Sequence, residues 1–172
     1  MNRAVVIAVF LVPSLAVAEP QQAVSVPVYS LQQAQGIAVE YERFDVIPGP
    51  WSLTGGIGIR DAADGDFAST ATSASAEARY WFRHTQMRGW FVGGGIDLTW
   101  TTLTDDVDDR SIGSSLAIAE TGQAGYRWVP WRTLEITPSV GLEYRTEIDL
   151  GGRLPAWSRG SVTTGLTVGW LF

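Results

Sequence analysis

The stretch Ser161–Phe172 reads SVTTGLTVGWLF. Val162, Thr164, Leu166, Val168, Trp170 and Phe172 fall on one face of an extended strand. Ser161, Thr163, Gly165, Thr167, Gly169 and Leu171 fall on the other. Strand side chains point alternately to opposite faces, so one side meets something apolar and the other holds mostly small groups. Termini of soluble domains usually fray into polar tails. This segment is committed to a sheet up to an aromatic final residue.

The same period of two recurs upstream. Ile37, Val39 and Tyr41 alternate with polar neighbours, as do Trp51 through Ile59, and Ala74 through Phe82. Trp90 through Trp100, Leu116 through Trp128, and Leu134 through Tyr144 repeat the pattern. AVSVPVYS adds a weaker first strand, because Pro27 removes a ladder donor. No helical stripe of apolar residues competes. The strands number eight.

The connections alternate between two kinds. Short ones are IPGP (47–50), HTQMR (84–88) and VPW (129–131). Longer polar ones are DAADGDFAST (61–70), TDDVDDRS (104–111) and DLGGRLPAW (149–157), with LQQAQ (31–35) in the longer class's place. An even number of strands with alternating short and long links predicts an all-β, eight-stranded antiparallel up-and-down transmembrane β-barrel. Short turns would face the periplasm and long loops the exterior.

Before these strands stands MNRAVVIAVFLVPSLAVAEP. One basic residue, Arg3, precedes a short apolar run and the small-x-small Ala16-Val17-Ala18, the layout of a secretory signal peptide. A membrane anchor fits poorly, since the run is short and Pro13 interrupts it. The expected division is a signal peptide at 1–18 and the barrel at 19–172. The chain has no cysteine, so export is not used for disulfides. Its 12 basic residues, all arginine, stand against 18 acidic ones. No basic patch for nucleic acid is seen.

A lipocalin-like soluble barrel also alternates, with its apolar face inward. Three features favour lipid outside. Charged residues share a face with Gly, Ser and Thr, which suits a crowded lumen. The strands are long enough to cross a bilayer at a tilt. Aromatics on the apolar phase cluster at strand ends. Trp51, Tyr80, Phe82, Trp90, Tyr126, Trp128, Trp170 and Phe172 lie near short turns; Trp100 and Tyr144 lie near long loops. Trp90 and Trp100 bracket one strand, and ten tilted residues project to roughly 25 Å, the height of the apolar band between aromatic girdles.

On these residues the chain resembles the small eight-stranded outer-membrane barrels, the class of the OmpA transmembrane domain and OmpX. The closing TVGWLF is similar to that class's C-terminal signal. The resemblance implies that Leu166, Val168, Trp170 and Phe172 are read by the outer-membrane assembly machinery. It implies a location in the bacterial outer membrane, reached through the periplasm. Outer-membrane lipid and lipopolysaccharide are the expected partners, with no nucleic acid and a monomeric state.

The inner face collects Glu40, Glu42, Glu77, Arg79, Arg83, Arg127, Glu135, Glu143 and Arg145. These could line a narrow channel or conduit, or pair and fill the lumen. A three-residue turn at 129–131 would set Trp128 opposite Arg132, and Arg127 diagonal to Glu135. Glu120 falls on the lipid phase; either a β-bulge turns it inward or it lies near the outer interface. The latter is expected.

Catalysis and metal binding are weakly supported, and no cofactor is expected. The resembled class includes lipid A deacylases with a His-x-Ser motif, but the single His84 is followed by Thr85 and Gln86 and is expected in a periplasmic turn. A lipid-modifying enzyme is therefore the lesser alternative. Asp105, Asp106, Asp108 and Asp109 offer oxygen ligands but lack the Gly and closing Glu of an EF-hand loop. The expected role is that of a non-enzymatic, structural or surface-display barrel.

Overall fold

Period-two alternation becomes eight strands in the computed structural model, which describes residues 21–28, 35–44, 46–64, 67–83, 87–105, 110–151 and 156–172. They are β1 (Gln22–Pro27), β2 (Gln35–Phe44), β3 (Trp51–Asp64) and β4 (Phe67–Trp81), then β5 (Gly89–Asp105), β6 (Arg110–Trp131), β7 (Leu134–Asp149) and β8 (Trp157–Leu171). Each strand pairs antiparallel with its sequence neighbours, and β1 pairs with β8 to close a barrel. The signal-peptide segment lies outside the described residues.

The register fixes the barrel's shape. Ladder partners lead from Val24 to Tyr41, Gly55, Ala76, Ile96, Glu120, Tyr144 and Gly160. Val24 itself pairs with Trp170, ten residues beyond Gly160. That stagger is the shear. With about 3.3 Å per residue and about 4.8 Å between strands, it tilts the strands about 40° from the barrel axis.

The two faces differ in the sense that lipid demands. Ile57 and Val162 point outward and are each 72% exposed, while the inward Glu42, Arg127 and Glu135 are at most 2% exposed. Exposed apolar and buried charged side chains invert the usual distribution of a water-soluble protein. On β8, Val162, Leu166 and Trp170 are outward, and Gly169 and Leu171 are buried inside.

Three expectations about connections change. VPW is not a turn: β6 runs through it to Trp131, and the turn is Arg132–Thr133. Trp128 therefore pairs with Ile136, not Arg132, and the register slips by one between Trp128 and Trp131. The extra residue falls at Val129–Pro130, where Pro130 has no N–H to give the ladder. The expected long loop at 61–70 is largely strand, while most of 31–35 and the middles of 104–111 and 149–157 lie outside the described residues. Asp61 pairs with Thr70 and Asp64 with Phe67, and β5 continues five residues past Trp100. These hairpins extend the sheet beyond the girdle. At the other end the IPGP turn is present, with Gly49 at φ 105°, a conformation that favours glycine.

Inside the short-turn end sits an apolar cluster of Ala23, Phe44, Trp81, Met87, Phe91 and Leu171, with Val129 packed against it.

Candidate functional site

Next to that apolar cluster the lumen is crossed by a knot of charge. Glu42 is its hub. One carboxylate oxygen accepts from Ser52 Oγ. The other accepts from Arg79 Nη1 at 2.9 Å and from Arg127 Nη2. Arg79 also donates to Glu77 through Nε at 3.1 Å and Nη2 at 3.0 Å. Gln123 Nε2 donates to both Glu77 oxygens at 2.7 and 2.8 Å. Arg127 Nε lies 2.8 Å from Glu135 Oε2, and Glu40 stands 3.8 Å from Arg79.

The strands explain the convergence. β2, β4, β6 and β7 each place inward residues at one level of a narrow ring. An eight-stranded barrel is just wide enough for such side chains to meet across it. Glycine makes the room. A Cβ on Gly93 would run into the Glu77 carboxylate and come within 3.1 Å of the Arg79 side chain; one on Gly125 would sit 2.6 Å from the Phe91 ring.

Two aromatics seal the knot. Trp81 donates Nε1–H to Ser52 Oγ at 2.8 Å and packs on Phe91 at 5.1 Å between ring centroids. The Arg127 guanidinium lies over Trp81 at 4.7 Å, and that of Arg79 over Phe91 at 5.1 Å. Desolvated guanidinium–ring contacts of this kind are attractive. Trp81, Phe91, Ser52 and Gln123 complete the site without having been singled out in the sequence. The inward phase of Trp81 and Phe91 is legible there; their meeting is not.

The other expected lumen charges divide. Glu143 and Arg145 point inward on β7 but make no ion pair with the knot among the described residues. Arg145 faces Arg159 across the ladder, and its buried Nε has no hydrogen-bond partner. Arg83 is not a lumen residue. β4 ends at Trp81, and Arg83 is exposed in the bend beyond.

The outward aromatics form edge-to-face pairs at the short-turn end: Trp51 with Tyr80 at 5.2 Å, Tyr80 with Phe82 at 5.6 Å, and Trp90 with Tyr126 at 5.2 Å. Trp128 and Trp170 are exposed on the same end. Phe172 is half-buried beside the β1–β8 seam, and Trp100 and Tyr144 are exposed toward the extended hairpins. Glu120 is exposed on the outer face, opposite Ile96 and Tyr144, and no bulge interrupts its pairing. By the strand tilt it lies about 3 Å below Tyr144 along the axis.

Asp105 ends β5; His84, Asp106, Asp108 and Asp109 lie outside the described residues. Among the described residues, no group of three or more His, Cys, Asp or Glu is placed to hold a metal. What the arrangement can do chemically is hold: it ties four strands together through buried charge and obstructs the lumen.

No family model matches the chain, and no curated protein matches it. Among solved structures, a major outer membrane protein from Thermus thermophilus is similar, at 13% sequence identity. The match covers 88% of this chain and 99% of that one, with a TM-score of 0.45. The barrel and its register therefore rest on the geometry of this chain.

Proposed function

We propose that this chain is a non-enzymatic integral outer-membrane β-barrel with a closed lumen, serving the envelope structurally and displaying its extended hairpins beyond the membrane. The observation that carries the reading is the Glu42–Arg79–Arg127 knot, nearly inaccessible to water and capped by Trp81 and Phe91. A conduit would need that cross-section open. The outward apolar face supports lipid as the surrounding solvent, since Trp90 and Trp100 stand about 25 Å apart along the axis. Support for a non-enzymatic role is that the chain has no Cys, and its single His lies in a short turn by sequence. Acyl transfer needs an activated nucleophile beside a base.

The sequence of residues 1–18 supports export through the periplasm, and the alternation of Leu166, Val168, Trp170 and Phe172 supports recognition by the assembly machinery. Lipopolysaccharide would then surround the extended-hairpin end of a monomer.

Conductance across planar bilayers tests the closed lumen. The folded protein is expected to leave current at background. A steady, ion-selective current would contradict the reading and favour a narrow channel.

A further inference from the structure

The two rims differ in charge. Arg43 at the end of β2, Arg83 and Arg88 in the β4–β5 connection, and Arg132 in the β6–β7 turn are all exposed at the short-turn end. Each of the three short connections thus carries arginine or is flanked by it. None of the four makes an ion pair or hydrogen bond among the described residues. Every described Asp or Glu at this end, namely Glu40, Glu42, Glu77 and Glu135, points into the lumen. The opposite end mixes exposed Asp61 with exposed Arg60 and Arg159.

Beside Arg43 lies a groove of about 490 Å³ on the outer face. Gly55, Ala76 and Ala78 form its floor and Tyr41, Val46 and Leu53 its apolar walls, with Thr54 and Glu77, whose side chains turn to the lumen, completing the lining. Arg43 stands at its rim on the outward face of β2, level with the aromatic girdle. Guanidinium groups at that level meet the zone where phospholipid phosphates lie. The planar fork of arginine matches a phosphate's oxygens in pairs.

We propose that this rim is a basic collar that selects anionic phospholipid from the leaflet at the short-turn end, with its best-formed seat in the Arg43 groove. The phosphate pairs with Arg43, and the first part of an acyl chain lies over Gly55, Ala76 and Ala78. A net-negative headgroup is favoured over a zwitterionic one because, among the described residues, no outward-facing Asp or Glu at this end offsets the four arginines, whereas choline would add a fifth cation. The proposal rests on the reading that the barrel spans a membrane.

The test folds the full chain into vesicles and compares tryptophan quenching by brominated phosphatidylglycerol with that by brominated phosphatidylcholine. Quenching by each lipid, as its fraction in the bilayer rises, gives their relative association constants. The unmutated protein should favour phosphatidylglycerol by about threefold or more, as attraction of arginine to anionic lipid implies. Arg43→Gln should lower that preference, and the fourfold variant Arg43→Gln, Arg83→Gln, Arg88→Gln, Arg132→Gln should bring it close to one. Unchanged quenching by phosphatidylcholine would show that these variants still insert. Equal constants in the unmutated protein, or a preference surviving in the fourfold variant, would overturn the proposal while leaving the membrane reading intact. Absence of quenching by brominated phosphatidylcholine would overturn both.

Discussion

Glu42 shows how much one inward carboxylate can hold. It is 2% exposed and shared by Arg79, Arg127 and Ser52. Burying a charge is costly unless it is paired and hydrogen-bonded, and removing one partner of a buried pair typically costs several kcal/mol. Arg127→Ala strips Glu135 of its ion pair and Glu42 of one of its two. Denaturant titration of the folded protein should show a loss of about 3 kcal/mol or more. Replacing both Arg127 and Glu135 by Leu should recover only part, because Glu42 still lacks Arg127 and is left with Arg79 and Ser52. A stability equal to that of the unmutated protein in the single variant would contradict a buried network. The alternation puts Glu40, Glu42, Glu77, Arg79, Arg127 and Glu135 on one face, and that much is legible in the sequence. Which of them meet depends on the shear, a property of ring closure that no local pattern carries. Arg83 shows the limit: it keeps the phase of Arg79 but lies past the end of β4.

At the scale of the elements, the two seams made by β1 are the shortest, and one of them closes the ring. β1 is the shortest strand, and Pro27 limits its ladder. Phe172 reinforces the closing seam: its N–H donates to Gln22 O at 2.9 Å and its carbonyl accepts from Gln22 N at 3.1 Å. Leu171 meanwhile donates its N–H to Thr133 O at 2.7 Å, on the β7 side. Deleting Phe172 removes one pair of bonds from this short junction, along with the aromatic that ends the alternation. Folded, heat-modifiable protein in the outer membrane should fall while synthesis and export continue; normal levels would contradict this role. Strand existence and facing were legible, but strand ends were not. The Ala-Ser-Thr run of 68–75 is polar enough to read as loop at its start, yet β4 begins at Phe67. The VPW bulge was hidden for a related reason. Proline suggests a break, whereas here it marks an extra residue within a continuing strand.

For the whole molecule, the shear links sequence alternation to membrane geometry. Eight strands staggered by ten residues give a narrow barrel in which charge can meet across the middle. The same stagger sets the tilt at which Trp90 and Trp100 stand about one apolar bilayer thickness apart. A water-soluble barrel with this register would have to hide Ile57, Leu142, Trp90 and Val162, which instead face outward and lie exposed. Polarised infrared spectroscopy of the folded protein in oriented bilayers measures that tilt directly. The account predicts strands inclined about 40° to the bilayer normal. Strands with no net orientation, or protein removed from the bilayers by washing, would contradict it.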